Sequence, residues 1–440
     1  MDKLLLKSIN YIFQVVLNQW VSGKIISLVL IIILFASCSS ARLKQIREGV
    51  ENDRFKNQFT GFLVVDAKSK DTILAKNSTK YFIPASNVKI VTLYASLKLL
   101  PEKIPTLKYV ESKDSLHIEG TGDPSWLHPY FMDSTALEFL SNTKAKIVLN
   151  LSNFHDEKFR PGWAWEDYQY YFSPELGPIP LYGNVVSFYE KDSLVVSPNL
   201  FSLNTRREKT KVLRDLTKNE FSVPENLTDT LEVPFITSKA LTKKLIQKKI
   251  NQKITLTQNR SKKSKKLLYG IPTDSILKRM LYKSDNFLAE QLMLSTSSML
   301  SDTLSFKISK DFVLENYLSN LKQQPRWVDG SGLSRYNLFT PESLVAILQK
   351  LYDETDKKRL FHLLPAWDNN GTITKPNIKN ELFIFAKSGS MGNTYNLSGY
   401  LKTKSGKLLL FSFMNNHFRR PTSQVRQDIY TALRQIHNTY

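Results

Sequence analysis

Three short strings, in chain order, carry side chains that together could perform acyl transfer: Ser86-Asn87-Val88-Lys89, Ser284-Asp285-Asn286 and Lys387-Ser388-Gly389. The first sets a hydroxyl one helical turn from an amine, and an amine so placed can take the hydroxyl's proton. The second adds another hydroxyl and a side-chain amide. The third puts a second cation on an apolar strand. These are the parts of a serine acyl-transfer site whose base is lysine rather than histidine. Taken singly, each string is ordinary surface chemistry. S-x-x-K occurs at Ser86, Ser141, Ser275 and Ser319, S-x-N at Ser8, Ser197, Ser202 and Ser284, and K-[ST]-G at Lys387 and Lys404. The surroundings must choose among the copies.

They choose Ser86. Gly61–Val65 reads as a strand, Ala67–Asp71 as a polar turn and Thr72–Ala75 as the returning strand. Pro84 breaks the chain before Ser86. Val88–Leu100 is then apolar almost all round until Pro101 stops it, the pattern of a buried helix. Ser86 falls at its N-terminus with Lys89 on the same face. A lysine forced into such a helix sheds its proton readily. The bland alternative is an N-cap serine beside a snorkelling lysine.

Lys404-Ser405-Gly406 lies between two alternating runs and reads as a hairpin turn. Lys387 instead ends the apolar run Leu382–Ala386, a buried strand whose edge presents Lys387, Ser388 and Gly389. Gly389 allows close approach of a substrate to the backbone. Ser284 follows Ile276, Leu277, Met280 and Leu281 at helical spacing and precedes Phe287, Leu288 and Leu292. It reads as a polar break between two apolar helices.

The strings IPASNVK, LYKSDNFLAEQL, VDGSGLSRYN and FAKSGS resemble the D-alanyl-D-alanine carboxypeptidase/endopeptidase family of low-molecular-mass penicillin-binding proteins, called class C or peptidase family S13. GTGDPSW at Gly120–Trp126 and the Gly162–Phe188 segment beginning GWAWED resemble it too. The resemblance runs with gaps from about Gly61 to the C-terminus. About 200 residues separate Ser86 from Ser284, enough for an inserted domain. Class A β-lactamases have a much shorter connection there.

The resemblance implies an α+β, β-lactamase/transpeptidase-like fold: an antiparallel sheet covered by helices, an all-helical subdomain, and a mainly β or mixed domain inserted between the first two motifs. It implies that Ser86 attacks the carbonyl between two terminal D-alanines while unprotonated Lys89 takes its proton. Ser284 relays a proton to the leaving amine, and Asn286 orients Lys89 and the substrate amide. The N–H groups of Ser86 and Ser390 form an oxyanion hole. Lys387 and Ser388 hold the terminal carboxylate. Like-charge repulsion from Lys387 would help to depress Lys89. Asp167, Phe172 and Arg335 match positions lining the pocket for the stem-peptide diamino acid, with a structural Asp167–Arg335 bridge as the bland alternative. Gly392 stands where some members carry a polar side chain. β-Lactams would acylate Ser86. No cofactor and no metal are implied, and the six scattered histidines show no ligand spacing.

Two other readings use the same residues. One is a related serine hydrolase, β-lactamase or esterase, against which stand the long insertion and the lack of an evident deacylating carboxylate. The other is a non-catalytic peptidoglycan-binding lipoprotein, against which stands the presence of every chemical side chain. Whether the scissile bond is terminal or in a cross-link is left open.

The chain has 440 residues, 42% hydrophobic and 11% aromatic, room for two or three folded domains. The expected plan is a catalytic domain of residues 52–110 and 236–440 around an inserted 111–235. No internal repeats are found. The formal net charge of +21 is spread over many short basic runs. Without a finger, an aromatic RNA-binding string or a P-loop it does not indicate nucleic acid, and it suits anionic wall polymers or phospholipid.

Lys3, Lys7 and Lys24 precede the apolar run Ile25–Ala36, which is short for a membrane span and suits a signal segment over residues 1–37. It ends in Phe35-Ala36-Ser37-Cys38-Ser39, which resembles a bacterial lipobox. Cys38 would become the lipid-bearing N-terminus of a membrane-anchored, periplasm-facing cell-envelope protein, on the outer membrane rather than the inner, with residues 38–51 as tether. An uncleaved anchor or a plain secretory signal are the alternatives. Cys38 is the sole cysteine, so the mature chain holds no internal disulfide.

Overall fold

The computed structural model describes residue 55 and residues 57–209, 211–261, 263–367, 373–374 and 382–440. The expected signal segment, Cys38 and the tether lie outside these. The described part opens with the expected hairpin, β1 (Phe59–Asp66) and β2 (Thr72–Lys76). Its turn is built on Asp66, whose carboxylate accepts the N–H groups of Lys68 and Ser69 at 2.9 and 3.1 Å. A 3₁₀ turn (Ala85–Asn87) leads into α1 (Val88–Leu99), in which Val88 to Ser96 are all buried. The all-round apolar pattern therefore marks a central helix, as expected.

Then follow β3 (Lys103–Glu111), β4 (Ser115–Gly120), α2 (Thr135–Ser141), β5 (Lys146–Asn150), β6 (Val185–Glu190), β7 (Leu194–Ser197), β8 (Thr205–Arg207), β9 (Phe221–Val223), β10 (Leu231–Pro234), α3 (Lys239–Ile250), β11 (Ile254–Thr257) and β12 (Lys266–Pro272). The last stretch holds α4 (Thr273–Lys283), α5 (Asn286–Leu300), α6 (Phe306–Asn316), α7 (Pro341–Glu354), α8 (Lys357–Leu363), β13 (Ala366–Trp367), β14 (Ile373–Thr374), β15 (Ile384–Met391), β16 (Thr394–Lys402), β17 (Leu408–Asn416) and α9 (Thr422–Thr439).

A seven-stranded antiparallel sheet of order β14-β13-β15-β16-β17-β1-β2 pairs the first described strands with the last. β1 alternates between two cores, because successive side chains point to opposite faces. Phe62 and Val64 pack with Val425, Ile429, Leu433 and Ile436 of α9. Leu63 and Val65 pack with α1, α4, α5 and α7 on the other face. These helices form the all-helical part beside the sheet. The α+β architecture of a transpeptidase-like fold is present.

A second sheet, β11-β5-β4-β3-β12, mixes parallel and antiparallel pairs. It reaches beyond the expected 111–235 insertion on both sides. β3 pairs with β12, Leu107 opposite Leu268, and β11 runs parallel to β5, Ile254 opposite Ile147. Leu245, Ile246 and Ile250 of α3 share its core. Sheet membership thus draws residues 103–110 and 239–272 away from the catalytic sheet, because strand period shows that a segment is extended but not which partner it takes.

β15 differs from the expected strand that ends at Lys387. It continues to Met391, paired with β16 throughout, Lys387 opposite Ser398. On its other side, among the described residues, β13 pairs only at Ile384 and Phe385, and no strand pairs with Lys387–Ser390 there. Contact between β15 and β16 is tight at Gly399, where an added Cβ would lie 2.2 Å from the Phe385 carbonyl oxygen. Gly399→Ala should therefore cost about 1–3 kcal/mol of stability, read by urea unfolding. A change within about 0.5 kcal/mol would contradict this packing.

Candidate active site

Ser86 lies in the 3₁₀ turn that opens α1, and its neighbour Ala85 is left-handed at φ +46°. Such a backbone is strained for alanine and persists only where its surroundings impose it. Phe82 and Phe339 exchange backbone hydrogen bonds of 2.8 and 3.0 Å. The Asn416 Oδ1 accepts the Ile83 N–H at 2.8 Å, and Asn396 Nδ2 donates to the Ile83 carbonyl at 2.9 Å. Asn87 Nδ2 donates to Ser398 Oγ at 2.6 Å. Two glycines close the vice. Gly332, at φ +82°, would place a Cβ 1.9 Å from the Ala85 carbonyl oxygen, and a Cβ on Gly389 would lie 2.8 Å from the Ser86 nitrogen.

Lys89 is completely buried. Its Nζ donates to the Ser331 carbonyl oxygen at 2.7 Å and to Asn286 Oδ1 at 2.7 Å, and lies 3.0 Å from Ser86 Oγ. The Asn286 amide is oriented by its own Nδ2, which donates to the Phe172 carbonyl at 3.1 Å. Two of the three neighbours of Nζ can only accept. A neutral amine has two N–H groups for them and one lone pair left for the Ser86 hydroxyl. Burial lowers Lys89 from 10.5 to about 8, against the pull of Asp329, Asp285 and Glu290.

The Ser331 peptide is gripped from both sides. Its N–H donates to Glu290 Oε1 at 2.8 Å while its carbonyl takes Lys89. Glu290 is fully buried on α5 and pairs with Arg160 at 3.0 Å, which also pairs with Asp156 at 2.6 Å. Asp329 folds the loop around Ser331. It accepts from Gly332 N at 2.8 Å, Ser334 N at 2.6 Å and Asn337 Nδ2 at 2.7 Å. Trp163 Nε1 donates to it at 2.9 Å, and Ser334 Oγ to the Pro161 carbonyl at 2.6 Å, so the GWAWED segment is fastened to this loop.

Ser284 is the left-handed C-cap of α4 at φ +54°, and Asp285 caps α5 by accepting the Leu288 N–H at 3.0 Å. The expected polar break is this cap-to-cap joint. It turns Ser284 Oγ to Lys387 Nζ at 2.9 Å, and Lys387 also donates to the Ser388 carbonyl at 2.7 Å. Lys387 is buried, and both burial and the charge of Lys89 push its pKa well down. Repulsion between the two ammonium groups disfavours charging both at once, and burial is the largest cause that lowers Lys89. Along β15, Ser388 is half-buried, Gly389 buried and Ser390 exposed.

Asp167, Phe172 and Arg335 approach this centre unevenly. The Phe172 carbonyl touches it through Asn286. Arg335 reaches back to Gly392, whose Cβ position would be 3.6 Å from Nη2. Burial and Glu166 raise the Asp167 carboxyl while Arg335 lowers it, yet no ion pair joins Asp167 to Arg335 among the described residues. The pair is within electrostatic reach without being bridged. Among the described residues no cluster of three His, Cys, Asp or Glu side chains could hold a metal ion.

Sequence reasoning missed Ser331, Glu290, Arg160, Asp329 and Trp163. The lone acid in apolar α5 and the aspartate opening DGSG were the available signals, whereas a backbone carbonyl leaves none.

The D-Ala-D-Ala carboxypeptidase 3 (S13) family profile matches residues 42–196 and 228–439. The D-alanyl-D-alanine carboxypeptidase of Actinomadura sp. (strain R39) is 23% identical, over 89% of this chain and 85% of that one. The D-alanyl-D-alanine carboxypeptidase DacB of Haemophilus influenzae is 29% identical over 37% of each chain, so that alignment spans little more than a third of the relative. The crystal structure of penicillin binding protein 4 (dacB) from Haemophilus influenzae superposes with a TM-score of 0.69 at 19% identity, covering 90% of this chain and 98% of that one, and shares its fold.

Because the neutral form of Lys89 is the one that can take a proton, covalent acylation of Ser86 by an activated ester should quicken as pH rises from 6 to 9, with its midpoint near the Lys89 value of about 8. Stopped-flow rates that stay flat across that window would contradict this.

Proposed function

Because the chain belongs to the D-Ala-D-Ala carboxypeptidase 3 (S13) family, we propose that it is a serine D-alanyl-D-alanine peptidase acting on peptidoglycan stem peptides. The observation that carries this reading is the set of contacts at Lys89 Nζ, with two pure acceptors and the Ser86 hydroxyl at 3.0 Å. Lys89 takes the Ser86 proton as Oγ attacks the carbonyl between the terminal D-alanines. The N–H groups of Ser86 and Ser390 receive the oxyanion. The Ser284 hydroxyl, in contact with Lys387, passes a proton to the departing amine. Lys387, Ser388 and Gly389 lie along the strand where a terminal carboxylate is held. Water then releases the acyl group. β-Lactams, whose ring carbonyl mimics the scissile one, acylate the same hydroxyl.

Asp167, Phe172 and Arg335 form the pocket for the diamino-acid side chain. The unbridged acid and guanidinium leave room for a zwitterionic end, its amine on Asp167 and its carboxylate on Arg335. The chain is held at the cell envelope by a lipid on Cys38, on the periplasmic side of the outer membrane. Support comes from the apolar run Ile25–Ala36 and the small residues before that cysteine.

Incubation with fluorescent penicillin and then with cross-linked and uncross-linked muropeptides tests the reading. The wild type should take label and Ser86→Ala should not. Free D-alanine identifies a carboxypeptidase, and loss of cross-linked dimers an endopeptidase. Asp167→Asn should reduce kcat/KM on peptides with a free side-chain amine by tenfold or more, roughly 1.5–3 kcal/mol. An unlabelled wild type that alters no muropeptide would sink the proposal. The intact mass of detergent-extracted protein should show an acylated N-terminus at Cys38, and an unacylated chain beginning elsewhere would refute the anchor.

A further inference from the structure

A cavity of about 600 Å³ lies on the GWAWED segment and is lined by none of the acyl-transfer residues. Its walls include Phe159, Trp163, Trp165 and Tyr168, with Arg214 and Glu175 as the charged members. The volume is that of a small-ligand site. Trp165 is 75% exposed, a large indole left facing water at a cost that a ligand would relieve.

Arg214 supplies the second indication. It is only 2% exposed, and no carboxylate lies within ion-pair distance among the described residues. Nη1 donates to the Asp215 carbonyl at 2.8 Å and Nη2 to the Tyr168 carbonyl at 3.3 Å, while the Nε has no partner. Glu175 does not fill that role, because its Oε2 is already taken by Lys158 Nζ at 2.8 Å and by the Thr237 N–H and hydroxyl at 2.7 and 2.6 Å. The buried guanidinium stacks 4.9 Å over the Tyr168 ring, and its one unpaired donor, Nε, calls for an anionic or carbonyl oxygen. Flat aromatic walls beside it suit the C–H face of a sugar ring.

We propose that this cavity binds the saccharide of the peptidoglycan strand, with a pyranose ring against Trp165 and an acidic or carbonyl oxygen on Arg214. The inference rests on the peptidase reading, which places a stem peptide nearby. Trp165 and Asp167 share one short 3₁₀ turn (Trp165–Gln169), so a stem peptide held at Asp167 brings its attached sugar close to the indole. Trp163 also lines the cavity and is bonded to Asp329, the residue that folds the Lys89 loop. The cavity therefore extends the peptide site toward the glycan.

The test compares the full-length wild type with Trp165→Ala, an exposed position where the fold loses little. Two substrates are used, a free stem pentapeptide and the same peptide on its disaccharide. The wild type should prefer the disaccharide form by about tenfold in kcat/KM, about 1.4 kcal/mol. Trp165→Ala should lose that preference with the free peptide unaffected. Equal losses on both substrates, or a preference that survives, would overturn the inference. Independently, the peptide-free N-acetylglucosaminyl-N-acetylmuramic acid disaccharide, which carries a lactyl carboxylate, is titrated by tryptophan fluorescence. Saturable binding weakened about tenfold in Trp165→Ala and in Arg214→Gln supports the site even if neither substrate is cleaved, the result that would fault only the peptidase reading. No binding to the wild type overturns the site.

Discussion

A lysine amine buried out of reach of any ion-pair partner is the constraint around which the rest is arranged. Among the described residues no carboxylate comes within ion-pair distance of Lys89 Nζ, which has only a peptide carbonyl, an amide oxygen and a hydroxyl for company. An ammonium there would lose its water without gaining a counter-ion. The fall from 10.5 to about 8 corresponds to roughly 3 kcal/mol against the charged form. Asp329, Asp285 and Glu290 stand further off and limit the fall, so the amine titrates near 8 and its neutral form is a minor but accessible fraction at pH 7. A carboxylate in contact would restore the charge.

Each neighbouring element can be understood as holding one of those three acceptors. The Ser331 carbonyl is held by Glu290 behind its peptide and by the Asp329 loop on either side. Asn286 is set at the start of α5 by the paired caps and turned by the Phe172 carbonyl. The Ser86 hydroxyl is fixed by a strained Ala85 that polar side chains of β16 and β17 and two glycines keep in place. The catalytic sheet, the helices and the GWAWED segment of the insertion thus converge on a single nitrogen. This explains why an insertion so far from Ser86 in sequence remains tied to the site through Trp163.

Elements whose local pattern is unambiguous were legible in the sequence. The Ser86 helix announced itself by Pro84, all-round apolarity and Pro101. The Lys404 hairpin and the apolar face of Val425, Ile429, Leu433 and Ile436 were equally plain, all four being fully buried. The resemblance supplied the fold, and the geometry then brought Ser86, Lys89 and Asn286 together, and Ser284 with Lys387. What escaped was non-local. The second sheet recruits Ile254 to Ile147 and Leu268 to Leu107, pairings that strand period cannot specify. The Ser331 contribution is a backbone carbonyl, invisible to residue type.

The protonation state of the resting Lys89 tests the central claim most directly. Lysine side-chain NMR on the free protein, with Lys89 assigned by substitution, should show its amine titrating near 8, well apart from the exposed lysines near about 10.4. A Lys89 signal that moves together with those exposed lysines would mean that burial does not lower the amine, and the account of a neutral form accessible near physiological pH would fail.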